Sequence, residues 1–190
     1  MLTKSTESSH TISKNNGSAI DKDMSSSELM ELFEDQLKDI LWAEKALLKA
    51  MPKMITAATS VDLLALLKNH LEQTKEQTDR LGEVFKTMDK KPSTKKCDAM
   101  EGLIAEAKDI IQDCGKGTKC DAGIIAAAQK IEHYEIATYG TLREFAETLG
   151  LKEAEKLLLE TLEEEKEADQ KLTEVAVSVV NMDAAVKQAQ

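Results

Sequence analysis

Apolar residues recur along this chain at steps of three and four. One run takes Phe33, Leu37, Ile40, Leu47, Leu48 and Met51, and a second takes Leu63, Leu67, Leu81, Phe85 and Met88. A third takes Ile124, Ala128, Ile131, Leu142 and Phe145, and a fourth Leu158, Leu162, Leu172 and Ala176. Steps of this kind place side chains on one face of a helix with 3.6 residues per turn, whereas a strand would alternate. The spacing predicts four long helices, over about 28–58, 61–88, 121–149 and 151–180.

The stop and start signals agree with those limits. Ser25, Ser26 and Ser27 precede Glu28 and Glu31, so a hydroxyl can cap free amides while acids face the positive end of the helix dipole. Ser60 precedes the second helix, and Gly150 separates the third from the fourth. Pro52 removes a backbone donor inside the first helix and predicts a kink there, because the apolar spacing continues through Met54 and Ile55. Between the halves, Met100, Leu103, Ile104, Ala107 and Ile111 define a shorter helix over 98–113, closed by Gly115 and Gly117. Two helical hairpins joined by a helical crossover give an all-α fold: an antiparallel four-helix bundle of ferritin-like connectivity, with a short helical crossover between helices two and three.

Residues 1–24, rich in Ser, Thr, Asn and Lys, bury too little to offset ordering and are expected to form a flexible tail. The bundle domain is expected over 25–182, with a C-terminal tail over 183–190. Aromatic residues are only 3% of the chain, which favours helix over sheet. A net charge of -10 argues against nucleic acid, since the one dense basic segment is the loop carrying Lys90, Lys91, Lys95 and Lys96. No segment has the roughly 20 apolar residues of a membrane helix, nor the pattern of a signal peptide, so no membrane partner and a cytoplasmic location are expected. Cys97, Cys114 and Cys120 lack CxxC spacing and are read as reduced thiols. A Cys114–Cys120 pair across the Gly115-Lys116-Gly117 turn stays open as a redox-dependent clip.

Chemistry enters where polar groups interrupt the apolar faces. Glu44 sits inside the first stripe, Glu135 inside the third with Glu132 and Tyr139 on its flank, and Glu165 with Asp169 inside the fourth. On the second helix the stripe passes through His70, Thr74 and Gln77, with Gln73 at its edge, while Glu72, Glu76 and His133 point outward. Glu44, the His70 to Gln77 segment, Glu135 and Glu165 fall near the middle of helices about 40 Å long, so antiparallel packing brings them to one level. Several buried carboxylates cost several kcal/mol each unless protons, hydrogen bonds or cations compensate. A pair of divalent metals answers that need, and oxygen and imidazole donors suit iron or manganese. The competing reading is a set of paired core acids, with Lys45, Lys49, Lys166 and Lys171 near enough in sequence to serve as partners.

Longer stretches are similar to the YciF-type branch of the ferritin-like superfamily, bacterial stress-associated proteins. They are Ala43-Glu44-Lys45-Ala46-Leu47, His70-Leu71-Glu72, Cys97-Asp98-Ala99-Met100-Glu101-Gly102-Leu103-Ile104, 126–137 with its Glu132-His133-Tyr134-Glu135 core, Tyr139-Gly140-Thr141-Leu142, and Thr161-Leu162-Glu163-Glu164-Glu165-Lys166. The resemblance spans about 28–176 and implies a ferritin-like fold, a homodimer and a role in stress. The positions that could hold metal on that resemblance are Glu44, Glu132, Glu135, Glu165 and Asp169; His70 and Gln73 complete the candidate set from the helix pattern. Gln73 stands where the family often has a second Glu, and Lys75 and Ala168 stand where Glu-x-x-His pairs would place their histidines. Two functions follow as expectations. One is a stress protein with a dinuclear iron or manganese centre and peroxide or dioxygen chemistry. The other is a non-catalytic dimeric bundle that has lost the site and acts through protein contacts.

Overall fold

Every regular element among the described residues, 27–186 of this computed structural model, is a helix, as the apolar spacing predicts. The tail expected over 1–24 lies outside the described residues, as do 187–190 of the expected C-terminal tail. Helix α1 (Glu28–Ala57) starts at Ser27, whose hydroxyl accepts the Met30 amide at 3.2 Å. It runs unbroken through Pro52, so the proline's missing donor is absorbed within one continuous helix. Helix α2 (Val61–Thr87) starts the same way at Ser60, which accepts the Leu63 amide at 3.4 Å. The crossover helix α3 (Asp98–Cys114) uses the Cys97 thiol as its cap.

Helix α4 (Thr118–Thr148) begins three residues before the predicted start at 121, with Gly117 at its cap position. Cys114 at the end of α3 and Cys120 in the first turn of α4 form a disulfide, their Cα atoms 5.1 Å apart. That corrects the expectation of reduced thiols there: the glycine turn brings the two backbones within bridging range, and Cys97 alone is free. The link from α4 to α5 (Lys152–Val175) turns at Gly150, which takes φ +73°. Its amide bonds to Glu147 O and the Leu151 amide to Ala146 O, satisfying carbonyls at the end of α4. Helical backbone continues beyond α5 through a π-helical turn, Ala176–Val180, into α6 (Asn181–Ala185).

The long helices pack in a ring, α1 on α2, α2 on α5, α5 on α4 and α4 on α1. Helix α3 lies outside this ring against α1 and α4. The α3–α4 approach is close at Gly123, where any Cβ would come within 2.7 Å of Ile110. Along each long helix an apolar core layer gives way to polar residues at mid-height and then resumes. One layer contains Phe33, Ile40, Phe85, Leu142 and Leu158, and the other Met54, Leu67, Ile124 and Leu172. The core is thus two apolar layers with a polar one between them.

Candidate metal centre

Each side of the ring turns at least one polar side chain into that middle layer. Glu44 comes from α1, His70 from α2, Glu132 and Glu135 from α4, and Glu165 from α5, and all five are buried. Helical spacing explains α4's double contribution, because residues three apart share a face. One donor atom from each of His70, Glu132, Glu135 and Glu165 lies within 4.8 Å of all the others. His70 Nε2 is 3.3 Å from Glu132 Oε1 and 4.0 Å from Glu165 Oε2. Glu44 joins the same electrostatic unit, and the Tyr139 hydroxyl, fully buried, donates a hydrogen bond to its Oε1.

Most of the remaining donor capacity is unspent. Both nitrogens of His70, both oxygens of Glu135 and of Glu165, Glu44 Oε2 and Glu132 Oε2 are buried without a hydrogen-bond partner. Burial lifts the Glu44, Glu132 and Glu135 carboxyls well above the usual range, and the charge of Glu165 raises each further. Burial also pulls the His70 imidazole below its ordinary value, favouring the neutral form that can donate a lone pair. Among the described residues no lysine forms an ion pair with these carboxylates. Lys166 pairs with Glu163 and Lys171 with Glu167, and Lys45 and Lys49 have no ion-pair partner among the described residues, so the paired-acid reading loses its counter-ions. Unpaired acids around a neutral imidazole fit a divalent cation: hard oxygen donors, one borderline nitrogen and, among the described residues, no ammonium paired to them.

Two sequence candidates lie apart from this group. Gln73, half-buried at the cleft beside His70, accepts from Asn69 at 2.8 Å and is outside the converging donor group. Asp169 faces the α4–α5 seam, where Gln129 donates to it at 3.1 Å and His133 Nε2 stands 3.4 Å away. Conversely Glu132 and Tyr139, placed by the helical wheel on the flank of the α4 stripe, are in the core. Sequence reasoning also missed Arg80. Its guanidinium grips Glu164 through two bonds of 2.8 and 2.9 Å, and also reaches Glu160 and Thr161, clamping α2 to α5 beside the site. Although burial opposes it, this clamp, with Gln77, holds the Glu164 carboxyl below its usual value, so the acid next to Glu165 is already neutralised. A small cleft of about 20 Å³ lined by Leu67, Gln73, Ala168 and Lys171 leads to His70 and Glu132.

Fold and site together define a ferritin-like helical bundle with a buried Glu/His cluster that could hold a metal ion. The chain belongs to the family described as domain of unknown function DUF892, whose model matches residues 28–185. It is 45% identical over 162 residues to Protein YciF of Escherichia coli K12, spanning 85% of this chain and 98% of that protein. The crystal structure of the E. coli stress protein YciF matches with a TM-score of 0.78 at 46% identity, over 82% of this chain and 98% of that one. YcfI from Rhodopseudomonas palustris matches at 0.76 and 45% identity, over 77% and 94% of the two chains. A protein from Xanthomonas campestris pv. campestris matches at 0.63 over 81% and 94%, and at 20% identity this likeness shows the fold alone. Among the described residues no helix is long and apolar enough to cross a membrane.

Proposed function

We propose that this chain is a YciF-like stress protein whose bundle core holds a dinuclear iron or manganese centre on Glu44, His70, Glu132, Glu135 and Glu165. The observation that carries this reading is the set of buried, unpartnered carboxylate and imidazole atoms converging from all four helices of the ring. Charge decides the count of ions. Four carboxylates present up to four negative charges around a neutral His70, and two divalent cations balance them where one would not.

Such a centre, when bound, supplies one-electron redox chemistry toward dioxygen or peroxide. The protein's own residues set what can reach it and where protons sit. The cleft at His70 and Glu132 has a volume of about 20 Å³, room for a water-sized molecule and not for an organic substrate. The Tyr139 hydroxyl, whose own pKa burial and the Glu44 charge push well above the ordinary value, keeps its proton and holds it against Glu44 Oε1. Arg80 keeps the neighbouring Glu164 out of the electrostatic balance of the layer.

The competing reading is a metal-free bundle in which the same carboxyls are protonated, and their raised pKa values are what would allow it. Anaerobic titration with Fe(II) and Mn(II), beside the Glu135→Ala variant, separates the two. About two ions per chain, lost in the variant, is the expected result for a site of the two-metal kind. No tight binding by the parent protein would exclude the metal reading and leave the protonated bundle.

A further inference from the structure

Among the described residues a second cavity lies away from the carboxylate layer. It is a groove of about 650 Å³ between α1 and α3, well inside the range of small-molecule sites. Its apolar surface includes Trp42, Ile104, Ile111 and, at the bottom, Ile131 of α4. Ala46, Ala50 and Ala107 line it as well, and their small side chains open it into a slot. The α1 residues along it run from Trp42 to Met54, so the slot is about 18 Å long at the helical rise.

Its edges are basic in an acidic protein. Lys45, Lys49 and Lys53 line it from α1, spaced four apart so that they form one row, and Lys108 lines it from α3. All four are exposed, and none has an ion-pair or hydrogen-bond partner among the described residues. The one acid among the lining residues, Glu101, is engaged by Lys96 at 2.6 Å. On a chain with 35 acidic residues against 25 basic ones, four lysines without a partner among the described residues, beside an apolar slot, make a local potential suited to an anion.

We infer that this groove binds a free fatty-acid anion, the alkyl chain lying along the slot and the carboxylate held by the lysine row. The volume of about 650 Å³ suits a single alkyl chain, whereas a helix about 10–12 Å across over the same length of about 18 Å would need more than twice that space. Charge opposes a second copy of this chain seated face to face on the same groove, since a two-fold contact would bring the two lysine rows together. The inference does not depend on the metal centre, which faces the other side of α1.

The test uses the full chain and the emission of Trp42, the single tryptophan. Laurate, added below its micelle concentration, is expected to shift that emission saturably at about one per chain, and dodecyltrimethylammonium of the same chain length is expected to bind at least about tenfold more weakly. The double charge reversal Lys49→Glu with Lys53→Glu should weaken laurate by about tenfold or more, and Ala50→Phe, which fills the slot, should abolish the shift. Unchanged helical circular dichroism shows that these variants fold. No saturable shift, equal binding of the cationic detergent, insensitivity to both variants, or binding only to anionic lipid vesicles would each overturn the proposal.

Discussion

A carboxylate moved from water into an apolar interior keeps its charge only if something answers it, and otherwise takes up a proton. Glu44, Glu132 and Glu135 are in that position: Tyr139 donates to Glu44, His70 stands beside Glu132, and the nearest strong charges are their own and that of Glu165. Their folded pKa values lie above the ordinary 4.5, so the folded, metal-free protein binds protons more tightly than the unfolded chain. Its stability from these groups is therefore fully present below 4.5 and is lost as pH rises through the raised values. Urea denaturation of the metal-free protein should show greater stability at about pH 5.5 than at about pH 8, and Glu135→Leu should raise stability at the higher pH by about 1–4 kcal/mol while flattening the pH dependence. A parent protein insensitive to pH, or a destabilised leucine variant, would contradict this account of the layer. The apolar pattern places Glu44, Glu135 and Glu165 inward from the sequence alone, because each interrupts a stripe on both sides. It leaves Glu132 and Tyr139 on the flank because a wheel fitted to one stripe assumes one buried face. Helix α4 is packed by α1, α3 and α5, so its buried arc is wider than a single stripe.

At the scale of elements, the hairpins are held by contacts that periodicity does not reveal. Asp121 in the first turn of α4 accepts the Thr59 amide at 2.7 Å, the Thr59 hydroxyl at 2.6 Å and the Ser60 amide at 2.9 Å, fastening the α1–α2 turn from across the bundle. Nothing in the local sequence distinguishes it from an ordinary first-turn acid, since its partners are some sixty residues away. Asp121→Ala should cost about 3 kcal/mol, because it leaves the donors of a partly buried turn without an acceptor, and Asp121→Asn should recover part of that loss. Chemical denaturation measures both, and an alanine variant as stable as the parent would show that the turn needs no such anchor. The helix limits were legible to within a few residues because serine caps and glycines mark them. The early start of α4 was not, since Thr118 and Lys119 carry no apolar signal and the turn before them is set by the disulfide and Gly117.

For the whole molecule, the crossover ties one hairpin to the other, and the Cys114–Cys120 bridge pins its end to α4. A loop this short confines the unfolded chain modestly, so reduction should lower stability by about 2 kcal/mol or less. Alkylation of the unfolded protein without reductant should label one cysteine, Cys97, and labelling of all three would show the bridge absent. The overall architecture was readable in advance because four stripes and a short link fix neighbours, and the ring of helices then brings their midpoints to one level. The central claim is that this level holds a pair of metal ions. X-ray absorption of the Fe(II)- or Mn(II)-loaded protein tests it most directly. The expected spectrum has oxygen and nitrogen ligands only, a metal–metal vector at about 3.5–4 Å, and imidazole scattering that disappears in His70→Ala. A metal that shows no neighbouring metal and the same spectrum in His70→Ala would contradict it, placing the ion elsewhere on the protein.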